Sequence, residues 1–126
     1  MGEHILVIGA TLLDAKGKPN DGLEPGTSNT AMIRITRGGT ARNVAENLGR
    51  LGAEVILVSA IGNDLTGQRL LAQTAEAGVN TDYFQVIQAC ETGAYMAILD
   101  EDGSLSVALD DVRIMNYVTS DYINRH

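Results

Sequence analysis

The chain has 126 residues, 44% of them hydrophobic, enough for one cored domain and too few for two. Sixteen acidic residues against nine scattered basic ones give a net charge of -7, which leaves no basic stripe for a phosphate backbone and excludes nucleic acid as a partner. Cys90 is the single cysteine and the apolar runs are only strand-length, so the expectation is a soluble, cytoplasmic protein with neither an intrachain disulfide nor a membrane span.

Residues 5–8, Ile-Leu-Val-Ile, form a run rich in β-branched residues that Gly9 closes, the pattern of a strand buried on both faces inside a sheet. Residues 16–29 are polar and rich in Gly and Pro and read as a loop, whereas 30–37 alternate around Met32, Ile33 and Ile35 as an exposed strand. After Gly38-Gly39, the apolar residues Ala41, Val44, Ala45, Leu48 and Leu51 recur on one helical face, with Gly52 at the C-terminal stop. Residues 55–61 predict a second buried strand. Leu65, Leu70, Leu71 and Ala75 mark a second helix, with Asp64 as its N-cap and Gly78 as its stop. Alternation of strand and helix predicts a parallel sheet with right-handed crossovers. Beyond Gly78 the pattern changes to strands at 83–87, 92–99 and 105–109, the last two joined by the hairpin-turn residues Asp100-Glu101-Asp102-Gly103. Residues 112–126 carry a weak helical pattern.

Two constellations bear on chemistry. Asp14 follows the first strand by a few residues, and in open α/β sheets ligands bind beyond the carboxyl ends of strands, so its carboxylate suits vicinal hydroxyls; taken by itself, the residue reads more simply as the cap of a turn. Gly38-Gly39-Thr40-Ala41-Arg42-Asn43 opens the first helix. Its glycines admit close backbone approach, the helix start offers free N–H donors, and Asn43 both donates and accepts, a set suited to a polar, uncharged ligand. A bare strand-to-helix turn would use paired glycines as well. Gly9 lacks the further glycines of a dinucleotide fingerprint.

Gly38-Gly39-x-x-x-Asn43, the following Ala45-Glu46-Asn47-Leu48-Gly49-Arg50-Leu51-Gly52 and the later Ile61-Gly62-Asn63-Asp64-x-x-Gly67 together resemble the N-terminal signature of ribokinase (PfkB) family kinases. The resemblance extends back to Asp14 and forward to Thr92-Gly93. It implies a ribokinase-like α/β fold, a parallel-sheet core with a β lid formed by segments about 12–37 and 92–111. Residues 1–126 would then be the N-terminal, substrate-binding portion of a sugar or nucleoside kinase. It also implies that Asp14, Gly38, Gly39 and Asn43 hold sugar hydroxyls. Asp14-Ala15-Lys16-Gly17, Pro25-Gly26-Thr27-Ser28-Asn29, Arg42-Asn43-Val44-Ala45-Glu46-Asn47 and the stretch from Asp102-Gly103 to Ala108-Leu109-Asp110-Asp111-Val112 are most similar to the pseudouridine kinase subgroup. On that likeness Ser28, Asn29 and Asp111 are candidates to meet base or ribose, although turn and strand-end roles suit them too. Thr11-Leu12-Leu13 departs from the family's usual residues before the aspartate.

The family's Gly-Ala-Gly-Asp anion hole, its catalytic base and its pocket for ATP and Mg2+ have no counterpart in these residues. They are expected in a C-terminal half outside this chain, so the chain alone is expected to transfer no phosphoryl group. Asn43-Val44-Ala45-Glu46 spells the family's metal-linked N-x-x-E pattern, but within the wrong helix. A short, non-catalytic sugar- or nucleoside-binding or dimerising module is the alternative. Residues 30–37, with unpaired edge groups, are expected either to pair two copies of the chain or to lie exposed.

Overall fold

The computed structural model describes residues 3–126; among these, nine strands, three α-helices and one 3-10 turn are present. The expected α/β architecture with parallel pairing is observed. An inner sheet has the order β1 (Ile5–Ile8), β4 (Val55–Val58), β6 (Val79–Asn80), all parallel. Helix α1 (Thr40–Arg50) covers one face of it: Ala45 meets Val55, Leu57 and Val79, each at most 4% exposed, with Val7, Leu48 and Phe84 packed around them. Each such buried Val or Leu stabilises the fold by about 1.5–3 kcal/mol. Helix α2 (Leu65–Glu76) begins at the expected N-cap, where the Asp64 carboxylate accepts the Gly67 N–H at 2.7 Å.

Beyond these, a four-stranded sheet has the order β3 (Ala31–Gly38), β2 (Leu12–Pro19), β8 (Gly93–Leu99), β9 (Leu105–Asp111). β2 runs antiparallel to β3 and parallel to β8, and β8–β9 is an antiparallel hairpin. Its turn has the chemistry expected of residues 100–103: the Asp100 N–H donates to the Ser104 carbonyl at 2.8 Å, and Gly103 takes φ 90°.

Several expectations are corrected. Residues 16–19 are strand rather than loop, because β2 is flanked on both sides and its ladder bonds form whatever the side chains; Lys16 and Lys18 point to solvent, and Pro19 ends the strand where a missing N–H costs little. The run 55–61 is not one strand. It breaks at Ser59, where the chain leaves β1 and β6 and continues as β5 (Ala60–Gly62) beside β7 (Gln85–Ile87). Hydrophobicity could not mark this break, since Val58, Ser59 and Ala60 are all buried. Among the described residues β1 is an edge strand with Ile5, Leu6 and Ile8 41–54% exposed, since there it pairs with β4 alone and only one of its faces meets α1. Finally, on α1 Val44 and Leu51 are exposed, and the buried face is completed instead by Arg42. The C-terminal segment forms a 3-10 turn (Arg113–Tyr117) and a short α3 (Ser120–Arg125), and β7 starts at Gln85 rather than Tyr83.

Candidate functional site

The two sheets meet where β1 ends, β2 begins and α1 starts. The β1–β2 connection is fixed to the break at Ser59 by a buried hydrogen bond of 2.8 Å between the Thr11 and Ser59 hydroxyls. Gly39, the α1 N-cap, takes φ 97°, and a Cβ there would collide with the Ala10 carbonyl, so only glycine lets the helix start this close to the connection. With no side chain to cap them, the first-turn N–H groups of α1 remain available. Around this junction lies a cleft of about 740 Å3, lined by Gly9, Ala10, Asp14, Gly39, Asn43, Tyr95 and Asp110 among others.

Asp14 is the third residue of β2, not part of a turn after β1. Its Oδ1 is buried and has no hydrogen-bond partner among the described residues. Such an oxygen costs free energy unless a donor reaches it, which is the property of a site that awaits hydroxyl or N–H groups. Gly38 stands beside it; a Cβ at 38 would lie 2.9 Å from both Asp14 Cβ and Leu12 Cδ1, so glycine leaves the aspartate its space. Asn43, one turn into α1, lines the same cleft, with its Oδ1 accepting from Arg42 Nη2 at 3.0 Å.

The structure brings Asp14, Gly39 and Asn43 together, with Gly38 behind Asp14. It does not bring Ser28, Asn29 or Asp111 to the cleft. Ser28 is exposed in the β2–β3 connection, and Asn29 closes that loop by accepting the Glu24 N–H and donating to the Glu24 and Thr27 carbonyls. Asp111 holds Arg113 at 2.9 Å, and these hydrogen bonds keep its carboxyl below the usual range. Its neighbour Asp110 faces the cleft instead. In the ladder, Asp14 stands opposite Tyr95, which stands opposite Asp110, so carboxylate, phenol and carboxylate share one face of three adjacent strands. Tyr95 and Asp110 escaped the sequence reading because one residue of register decides which of two adjacent aspartates points inward.

The opposite face of that sheet is apolar and uncovered. Ala15, Ile33 and Ile35, Met96, and Val107 and Leu109 share it, with Ile33, Ile35 and Leu109 more than 60% exposed. A smaller cavity of about 260 Å3, lined by Pro19, Leu23, Ile33 and Met96, opens there.

Behind Asn43, Glu46 gathers three arginines: Arg37 from β3 at 2.9 Å, Arg42 at 2.7 Å and Arg50 at 2.9 Å. The Arg37 hydrogen bond, with those of Arg42 and Arg50, outweighs partial burial and holds the Glu46 carboxyl well below the ordinary carboxylate range. The same contact raises Arg37. On the far side of the junction, burial works against ionisation of Asp64, but hydrogen bonds from the Thr92 hydroxyl and N–H and from the Gly67 N–H prevail and lower its pKa.

Residues 3–123 match the model of the pfkB family carbohydrate kinases. The chain belongs to the pfkB family. Over 124 residues it is 36% identical to the pseudouridine kinase of Escherichia coli, covering 98% of this chain and 40% of that protein. A carbohydrate kinase from Agrobacterium tumefaciens superposes with a TM-score of 0.85 at 33% identity, over 98% of this chain and 39% of that one. A fructokinase from Xylella fastidiosa solved with bound ATP superposes with a TM-score of 0.69 at 29% identity, over 87% of this chain and 33% of its own. The fold is therefore ribokinase-like, and the chain spans about 40% of the length of the pseudouridine kinase and of the carbohydrate kinase named above. Kinases of this family use ATP. The described residues offer no group of three or more His, Cys, Asp or Glu side chains suited to a metal, and no lysine or arginine among them lines the cleft to meet a triphosphate. No described helix is long and apolar enough to cross a membrane.

Proposed function

We propose that residues 1–126 form the substrate-binding portion of an ATP-dependent nucleoside kinase, with pseudouridine as the preferred substrate. The observation that carries the reading is the buried, partnerless Oδ1 of Asp14 in a cleft shared with Asn43 and the free N–H groups of α1. A ribose supplies what these lack: hydroxyls that donate to the carboxylate and accept from amide N–H groups. Tyr95 and Asp110 extend the wall to a flat face and a second acceptor, which suit a base rich in N–H groups. The 36% identity to a pseudouridine kinase supports the same choice.

ATP would supply the phosphoryl group, with Mg2+, from residues beyond this chain, together with the base that takes the hydroxyl proton. The part of the reaction assigned to these residues is to orient the ribose and exclude water while segments 12–37 and 92–111 act as a lid. By itself the chain transfers nothing. The apolar outer face of the lid and the unpaired edge of β3 would pair with a second copy. A cytoplasmic setting accompanies this reading.

The test is calorimetric titration of the full-length protein that carries these residues with pseudouridine, uridine and ribose, for the wild type and for Asp14→Asn. Asp14→Asn keeps the shape but loses the charge and one acceptor, so pseudouridine affinity should fall roughly tenfold to a hundredfold, as expected for a hydrogen bond to a charged group. Unchanged affinity with a lowered melting temperature would make Asp14 a purely structural residue of β2 and remove the basis of the reading.

A further inference from the structure

Arg42 stands out as a charged side chain only 2% exposed on a helix face that otherwise buries alanine. It is held from three sides: Nη1 donates to the Thr74 hydroxyl of α2 at 3.2 Å, and Nη2 donates to Glu46 Oε1 at 2.7 Å and to Asn43 Oδ1 at 3.0 Å. A guanidinium has donors only, so the group it grips on Asn43 must be the carboxamide oxygen. The Asn43 NH2 makes no hydrogen bond among the described residues, so with its oxygen turned to Arg42 the amide offers that donor to the cleft. Glu46, in turn, is held by Arg37, the residue on β3 immediately before Gly38-Gly39. A continuous polar chain therefore runs from β3 through Arg37, Glu46 and Arg42 to Asn43.

We propose that Arg42, anchored by Glu46 and Thr74, is a positioning residue that locks Asn43 as a hydrogen-bond donor to a ligand oxygen, with Arg37 tying that orientation to strand β3. The inference rests on the proposed reading of the cleft as a ribosyl site. It assigns the ligand atom met by Asn43 to an acceptor and the atom met by Asp14 to a donor, so the two residues impose a direction on a vicinal diol. A lysine at 42 would lack the planar fork that reaches three partners at once.

The test is a double-mutant cycle on the full-length protein, with pseudouridine and ribose as probes and binding read by calorimetry in the absence of ATP. Arg42→Lys should weaken pseudouridine binding about tenfold in the wild-type background and less than twofold in the Asn43→Ala background, since a residue that acts through Asn43 has nothing to orient once the amide is gone. Asn43→Asp, which keeps an oxygen for Arg42 but replaces the donor with an acceptor, should bind as poorly as Asn43→Ala. Should Arg42→Lys fail to fold, as judged by thermal melting, Glu46→Gln carries the same cycle with an expected threefold loss that disappears alongside Asn43→Ala. Equal losses with and without Asn43, or retained binding by Asn43→Asp, would overturn the proposal. A wild type that binds neither probe would instead overturn the underlying reading of the cleft.

Discussion

The inner parallel sheet and the four-stranded sheet are built from similar apolar residues but treat them in opposite ways. In the inner sheet Val55, Leu57 and Val79 are at most 4% exposed beneath α1, whereas in the four-stranded sheet Ile33, Ile35 and Leu109 are 62–69% exposed. The first region is held by packing, the second by its ladder and by a few polar ties at its root. Those ties are the Thr11–Ser59 hydroxyl pair, the Asp64–Thr92 lash and the Arg37–Glu46 ion pair. The cleft opens at that same junction, so the groups proposed to bind ligand sit where a rigid body meets a sheet with little packing of its own.

The largest effect that would break this contrast is a truncation in each region. Leu57→Ala removes a fully buried side chain and should destabilise by about 2–5 kcal/mol in urea unfolding. Ile33→Ala, 69% exposed in the single chain, should stay within about 0.5 kcal/mol at concentrations where the protein is monomeric. A comparable loss at both positions would mean that the outer face of the four-stranded sheet is buried in solution.

That possibility is sharpened by a second measurement. If the apolar face pairs two copies, Ile33→Lys together with Ile35→Lys should convert a dimer to a monomer in sedimentation velocity while leaving pseudouridine affinity intact, since neither residue lines the cleft. A wild type that sediments as a monomer at all concentrations would remove the proposed pairing.

The contrast also explains what could be read from the residues alone. The α1 start at Gly38-Gly39, the Asp64 cap and the turn at residues 100–103 were legible because each depends on local chemistry: a positive φ, a short carboxylate, a two-strand reversal. β2 and the break at Ser59 were not, because both are decided by which strands lie alongside, and nothing within residues 16–19 or 55–61 carries that information. The same limit separated Asp110 from Asp111. In the site, the glycines and Asn43 stood out in a motif, while Arg42 and Glu46 looked like ordinary charges on a helix until the fold turned them inward toward α2 and β3.

A smaller effect tests the Asp64 tie. Asp64→Ala removes the α2 N-cap and both bonds to Thr92, and should cost about 1–3 kcal/mol. Hydrogen exchange should then accelerate first at the start of α2 and at the root of β8 rather than through the inner sheet. Uniform acceleration would show that the tie supports the whole fold and not the junction.

The smallest expected effect concerns acid. Glu46 and Asp64 both have folded-state pKa values below those of the free carboxyls. A carboxyl depressed by folding contributes stability that is fully present above its unfolded value, about 4 for these groups, and is lost as pH falls through the folded value. Between pH 5 and 3 the unfolded chain takes up protons that folded Glu46 and Asp64 refuse, so stability should decline across that window. Glu46→Gln removes one of the refusing groups, and its stability should therefore fall less steeply over the same range, although it starts lower at pH 7. Asp111→Asn offers the contrast, because the Asp111–Arg113 pair lies open to solvent, where salt and water screen it, and the acid slope should change little. Urea midpoints at pH 5, 4 and 3 for the three proteins distinguish the cases. A Glu46→Gln slope equal to wild type would show that the arginine cluster contributes nothing to folding, and that whatever it does for Asn43 is done without supporting the junction.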